Sequence, residues 1–404
     1  MRSLAKEMKN LKILAGPPSL VGWGASEGLP NAIIEQHPER ILLVTDPVLI
    51  QLTAFQLLFK QLQNTGVFFE LYSDIMPEPT LEAGQKLVDF ARKGRYDMVI
   101  GVGGGSALDL AKLAAVFVGN EGSLHEYLNL SGQKRVQHKG IFKILVPTTS
   151  GTGSEVTDIA VLSLGDTKDV ISHPYLQADL AVVDPKLTLT VPPKVTAATG
   201  ADALTHAIEA YLSVNSNPYS ETLALEAIRL MAHALPNAVQ RGEDEEIRSD
   251  MSYGSYLAAL SFYNAGVGAV HALAYPLGGE FHLAHGDSNA VMLPYVLEYI
   301  RPACADKLSN ILRIMQGKTP LSEAGPGTQT QAIECVRRLK VLIREIGIPT
   351  TLKDFGIPES ALVLLASQGN MQTRLLARCP IALDEQAIFE IYSNAYFGKS
   401  DLDQ

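Results

Sequence analysis

Pro192-Pro193 divides this chain into two stretches whose hydrophobic periodicities demand different architectures. Before it, short β-branched runs alternate with helical patterns: residues 41–45 then 48–62, 67–72 then 81–93, and 98–102 then 107–118. Strand–helix–strand alternation of this kind predicts a parallel sheet with crossover helices. Further strand candidates follow at 142–146, 159–164 and 180–183. After the prolines the pattern is helical almost throughout: 194–213, 219–239, 244–264, 269–281, 288–300, 302–315, 329–346, 360–367 and 384–396. The proline pair suits an extended entry into a helix N-terminus. Asp384 suits an N-cap. Residues 317–327 are rich in Pro and Gly and read as a loop. The predicted class is therefore α/β, with a parallel-sheet domain over residues 1–190 and an all-helical domain over 191–404. A length of 404 residues exceeds what one core usually serves. A cleft between two such domains is a usual place for a small-molecule site.

Composition excludes several classes of partner. A net charge of −10 argues against nucleic acid and against anionic membranes. Hydrophobic content of 47% with 19% charged residues describes a chain able to bury a large core. No apolar run reaches the roughly 18 residues of a membrane span, and residues 1–12 carry charges with no apolar segment behind them. Cys304, Cys335 and Cys379 are odd in number and far apart, which favours a reducing compartment, and a cytoplasmic location is expected.

Asp202-Ala-Leu-Thr-His206, followed by His271 and His285, is the strongest chemical signal. Asp202 and His206 are four residues apart in a helical pattern, so they share a face. One carboxylate and three imidazoles form a mixed oxygen and nitrogen set suited to Fe²⁺ or Zn²⁺. A surface Asp and a hydrogen-bonded core His are the plain alternative for the first pair. His271 and His285 weaken it, because they sit in an apolar, Gly-rich run where unpaired imidazoles are costly to bury.

Two glycine-bearing loops follow strand patterns. Ile100-Gly-Val-Gly-Gly-Gly-Ser106 opens a helix, and amides at such a turn can cradle a pyrophosphate. It lacks the GxGxxG spacing, and a tight turn without a ligand is the alternative. Pro147-Thr-Thr-Ser-Gly-Thr-Gly-Ser154 adds hydroxyls suited to phosphate or ribose. Asp46 ends the 41–45 run, where a carboxylate can accept from a ribose diol and would repel a 2′-phosphate, favouring NAD over NADP. A turn Asp before Pro47 is the alternative.

Together these stretches, with PKVTAATGADALTHAIEAYLS (193–213) and Val270-His-Ala-Leu-Ala-Tyr-Pro-Leu-Gly-Gly279, closely resemble the iron-containing (group III) alcohol dehydrogenases, from about residue 13 to the last helix. The resemblance implies a nucleotide-binding α/β domain, a helical metal- and substrate-binding domain, and a homodimer or higher homo-oligomer. It implies Asp202, His206, His271 and His285 as metal ligands, Fe²⁺ or Zn²⁺ as the ion, and NAD, with NADP as the second option. Cofactor contacts carried over by motif are Asp46, the turn holding Gly104, Gly105, Ser106 and Asp109, then Thr148, Thr149, Thr152 and Lys168. The implied activity is metal-assisted hydride transfer between a small alcohol or aldehyde and NAD(H).

The chain departs from that pattern in four places. Tyr275 stands where many members have a further histidine used in proton relay or substrate positioning. A phenol is a poorer proton shuttle at neutral pH. Tyr275 is therefore expected to shape and desolvate the substrate site with its hydroxyl hydrogen-bonded. His282 is the candidate replacement imidazole, against a plain surface histidine. Glu78 replaces a common Asn, Ala178 a frequent Pro, and Cys379-Pro380 an Asn-Pro pair.

Two other activities compete. A dehydroquinate-synthase-like lyase needs clustered Lys and Arg for its substrate, and the apolar surroundings of Phe262, Leu273 and Ala274 oppose that. A hydroxyacid–oxoacid transhydrogenase would keep its cofactor through dialysis. A purely binding role leaves the metal set and two loops without purpose.

Overall fold

The computed structural model describes residues 11–165, 167–321 and 325–400. Most of segment 1–12, and residues 322–324 of the 317–327 loop, lie outside the described residues. In chain order the first half contains β1 (Ser19–Val21), α1 (Leu29–Glu35), β2 (Arg40–Thr45), α2 (Thr53–Gln63), β3 (Phe68–Tyr72), α3 (Leu81–Gly94), β4 (Met98–Gly103), α4 (Gly105–Phe117), β5 (Phe142–Pro147), β6 (Ile159–Leu164), β7 (Thr167–Ser172) and β8 (Leu180–Val183). Six strands form one sheet in the order β1-β8-β5-β4-β2-β3, and every pair in it is parallel. All six β4 residues are buried, because apolar clusters cover both faces of the sheet.

Register sets the site. Thr45 of β2 lies opposite Val102 of β4, and Gly103 lies opposite Pro147 of β5. The loops that leave these three strands therefore start level with one another. Chain order also reverses between β2 and β4, and the crevice at such a reversal is where open parallel sheets hold ligands.

β6 does not join the parallel sheet. It pairs antiparallel with β7 across a tight turn in which Gly165 takes a φ of 69°. So short a connection permits only antiparallel pairing. The sequence pattern concealed β7 because Lys168 and Asp169 interrupt its apolar residues.

The second half is helical: α5 (Pro193–Leu212), α6 (Pro218–Gln240), α7 (Glu245–Ala265), α8 (Ala269–Phe281), α9 (His285–Met315), α10 (Thr328–Glu345), α11 (Leu362–Asn370), α12 (Thr373–Leu376) and α13 (Glu385–Phe397). Pro193 is the first residue of α5, where its missing N–H costs nothing. α5 is rich in Ala, so its neighbours pack close: a Cβ at Gly200 would stand 2.3 Å from Leu235 Cδ1. The patterns at 288–300 and 302–315 correspond to two helical segments of α9 that meet at a kink near Pro302, where Cys304 is non-helical at φ −141°. Asp384 caps α13, its carboxylate accepting from the Ala387 N–H at 2.8 Å. Among the described residues no single helix is long and apolar enough to cross a membrane. The bent pair α7–α8 passes that test only jointly, and its apolar side chains belong largely to the helical core.

Candidate metal centre and cleft

Helical spacing builds the centre. On α5, Asp202, His206 and Glu209 follow a 3.6-residue period, so all three project from one buried face. α8 contributes His271, and His285 is the first residue of α9. Asp202 Oδ1 lies 3.8 Å from His206 Nε2, 3.6 Å from His271 Nε2 and 3.7 Å from His285 Nε2. These separations are too long for hydrogen bonds. They are close to the edge of a coordination tetrahedron, about 3.4 Å for bonds near 2.1 Å. Asp202, His271 and His285 form the tightest group, with ligand atoms within 4.8 Å of one another. His206 joins through Asp202, its ring between Phe262 (centroids 4.3 Å apart) and His271 (4.7 Å). The donor set thus fits a divalent transition ion.

Glu209 completes the arrangement, although its residue type alone does not single it out in the sequence. One carboxylate oxygen lies 2.5 Å from His271 Nδ1, and the other accepts the Val270 N–H at 2.7 Å. This fixes the His271 proton on Nδ1 and turns Nε2 toward Asp202, the carboxylate–histidine pairing common behind metal ligands. The signal was legible: a carboxylate three residues after His206 on the same face. Asn289 was also missed, one helical turn after His285. Its amide nitrogen donates to Asp202 Oδ1 at 2.8 Å and lies 3.2 Å and 3.3 Å from the Nε2 atoms of His271 and His285.

Electrostatics prepares the set for a cation. Burial pushes His206 down to about 4 and His285 down to about 3, so both rings are neutral with free lone pairs at neutral pH. Burial opposes the charge on Asp202, yet the surrounding imidazoles outweigh it and hold the carboxyl well below its ordinary range. For His271, burial is overcome by the carboxylates of Asp202 and Glu209, which raise its pKa above the usual value. A metal must displace that proton.

A cavity of about 420 Å³ connects this centre to the sheet loops. Gly105, Ser106 and Thr152 line one side, and Asp202, His206, His271, His285 and Tyr275 the other. Gly104 is the N-cap of α4 in an extended conformation, beside Thr149. A Cβ on Gly105 would stand 2.7 Å from the Thr152 side chain, so glycine is required where the two loops meet. The Thr148 N–H donates to Gly103 O at 3.0 Å, tying the loops together. Asp46 has a double situation. Oδ1 accepts from the Val48 and Leu49 N–H groups at 2.9 and 3.0 Å, making the turn, while Oδ2 faces Gly103.

Three residues behave differently from expectation. Asp109 lines the cleft, but its carboxylate is already engaged by Ser154 Oγ, by Lys112 Nζ at 3.1 Å and by the Val161 N–H at 3.0 Å. It braces the loop rather than presenting a free acceptor. His282 is exposed at the left-handed C-cap of α8 and does not line the cavity. Tyr275 does line the cavity, with its ring 5.9 Å from that of His285, and burial pushes its phenol up. Its hydroxyl, expected to be bonded, has no hydrogen-bond partner among the described residues. Lys168 is buried on the wall and pairs with Glu78 at 3.0 Å. The surroundings are also less apolar than the sequence suggests, since Arg374 and Arg378 reach the cavity.

Residues 17–185 match the family model described as iron-containing alcohol dehydrogenase, and residues 196–396 match that of the Fe-containing alcohol dehydrogenase family, C-terminal. The chain belongs to the iron-containing alcohol dehydrogenase family. It is 52% identical over 392 residues to long-chain-alcohol dehydrogenase 1 of Geobacillus thermodenitrificans (strain NG80-2), covering 97% of this chain and 98% of that one. It is 30% identical over 354 residues to the NAD-dependent methanol dehydrogenase of Bacillus methanolicus, covering 87% and 91%. The crystal structure of a 1,3-propanediol oxidoreductase superposes with a TM-score of 0.89 at 31% identity, covering 96% of this chain and all of that one.

Proposed function

We propose that this chain is an NAD-dependent, divalent-metal-dependent alcohol dehydrogenase interconverting alcohols and aldehydes. The observation that carries the reading is the single cavity joining two sheet-end loops to a carboxylate–imidazole centre. Kinship to alcohol dehydrogenases, one of them NAD-dependent, supports it. Asp202, His206, His271 and His285 would hold the ion, Fe²⁺ by family and Zn²⁺ by donor type. Gly104, Gly105, Ser106, Thr148, Thr149, Thr152, Lys168 and Asp46 would hold NAD. When bound, the ion would supply a Lewis acid for the substrate oxygen and NAD a hydride acceptor. Glu209 keeps the His271 proton away from the centre, and Phe262 and Tyr275 exclude water from it. The enzyme is taken to be homo-oligomeric, and cytoplasmic on its cysteine usage; the three cysteines are free and buried. The test is a panel of alcohols and aldehydes with NAD(H) and NADP(H) after loading with Fe²⁺ or Zn²⁺. Absence of any nicotinamide-linked turnover would reject the reading.

Two outcomes follow at single residues. Asp46→Gly should improve NADP use relative to NAD, because Oδ2 is the anion beside the Gly103 turn; kcat/KM for both cofactors measures it, and a wild type preferring NADP contradicts it. Tyr275→Phe should keep most of kcat, since the hydroxyl has no hydrogen-bond partner among the described residues, while Tyr275→Ala should raise KM through lost packing. His282→Ala should behave as wild type. A loss of kcat by orders of magnitude in Tyr275→Phe would make the phenol a chemical participant.

A further inference from the structure

Arg374 and Arg378 lie one helical turn apart, around the end of α12, and both line the cavity that holds Tyr275, His271 and His285. Neither guanidinium has a carboxylate within ion-pair distance or a hydrogen-bond acceptor among the described residues. The nearby carboxylate, Glu209, has both oxygens committed to Val270 and His271. The other cation of the cavity wall, Lys168, is matched by Glu78. Two unmatched positive charges therefore share one end of the cavity. Arg378 is half-buried, and burial together with the charge of Arg374 pulls its pKa below the ordinary value. A partly desolvated cation without a counterion is costly.

The place of Arg378 is also built. Gly266 adopts φ +74° at the C-cap of α7, and a Cβ there would stand 2.5 Å from Arg378 Cζ and Nε. The guanidinium thus rests against bare backbone, where a side chain at 266 would displace it. The same wall includes Phe262, Val267 and Leu375, a surface suited to methylene groups. The loops suited to cofactor phosphate, at Gly105 and Thr152, belong to the sheet side of the cavity.

We propose that Arg378, assisted by Arg374, forms an anion subsite for a carboxylate at the far end of the substrate, so that the preferred substrates are ω-hydroxyalkanoates and the matching ω-oxoalkanoates. This rests on the dehydrogenase reading above and deepens it. The carboxylate takes charge-assisted, fork-like hydrogen bonds from the guanidinium, the chain lies along the apolar wall, and the hydroxyl reaches the metal centre. Arg374, being exposed, contributes less.

The test uses the full chain loaded with Fe²⁺ or Zn²⁺ and supplied with NAD. kcat/KM is measured for a homologous series of ω-hydroxyalkanoates, each against the 1-alkanol of equal length, and calorimetry compares butyrate with butyramide. At the best chain length the hydroxyalkanoate should be favoured at least about tenfold, and butyrate should bind where butyramide does not. Arg378→Leu should reduce that preference about tenfold, Arg378→Lys less because the fork is lost but the charge kept, and Arg374→Ala least. If Arg378→Leu fails to fold, the Lys and Arg374 variants carry the test. Preference for the alkanols, or a hydroxyalkanoate preference unchanged in the variants, overturns the proposal. So does displacement of butyrate by NAD, which would assign the arginines to cofactor phosphate. Turnover of neither series rejects the dehydrogenase reading instead, and butyrate binding in wild type against Arg378→Leu then still decides the subsite.

Discussion

Alanine in place of His271 or His285 is expected to strip the bound metal and abolish turnover while leaving the fold in place. Each substitution removes one of the ligand atoms grouped within 4.8 Å around Asp202 and leaves a carboxylate with fewer imidazoles to balance it. The affinity loss should exceed the ~10–100-fold typical of losing a partner behind a ligand. Metal content by elemental analysis and activity should fall together, with helical circular dichroism retained. His285, at the start of α9 with 29% of its side chain exposed against 2% for His271, should be the better tolerated structurally. Full metal content in either variant would remove that histidine from the ligand set.

Glu209→Gln should weaken metal binding by roughly 10–100-fold although no ligand is changed. The carboxylate accepts from Val270 and from His271 at once, whereas an amide has a single acceptor atom. If that atom keeps Val270, the amide nitrogen faces Nδ1 and drives the ring proton to Nε2, where the ion must bind. The wild type adds a pH signature. Because His271 is raised above its ordinary pKa in the metal-free protein, its proton competes with metal below that raised value. Apparent affinity should therefore rise with pH through neutrality, and the rise should be shallower in Glu209→Gln, which lacks one of the carboxylates that raise the pKa. Equal affinity and equal pH slope in the two proteins would show that Glu209 serves packing alone.

Legibility of the sequence followed the range of the interactions. The parallel sheet, the helical half and the entry at Pro193 are written in local periodicity and in proline geometry, so the sequence alone carries them. Asp202 and His206 were visible because helical spacing alone puts them together. His271 and His285 were legible by residue type and by resemblance, but their meeting with α5 depends on packing between helices. Glu209 and Asn289 had a local signal, one turn from a proposed ligand, that residue type alone did not single out. Arg374 and Arg378 had none, since they lie more than a hundred residues from the α5 ligands and reach the cavity through tertiary packing, including α12 against α8 and Arg378 against Gly266. His282, three residues from His285 in sequence, is itself the left-handed C-cap of α8 and is exposed, a backbone geometry that spacing alone does not reveal. The β6–β7 hairpin was hidden because charged residues on β7 blur its alternation.

The central claim is that a divalent ion held by Asp202, His206, His271 and His285 is required for nicotinamide-linked alcohol chemistry. The most direct measurement is NADH oxidation with an aldehyde by protein stripped with chelator and then titrated with Fe²⁺ or Zn²⁺. Activity should be absent in the stripped protein and should rise in proportion to bound metal, saturating at a single ion per chain. Full activity in stripped protein kept in chelator would contradict the account.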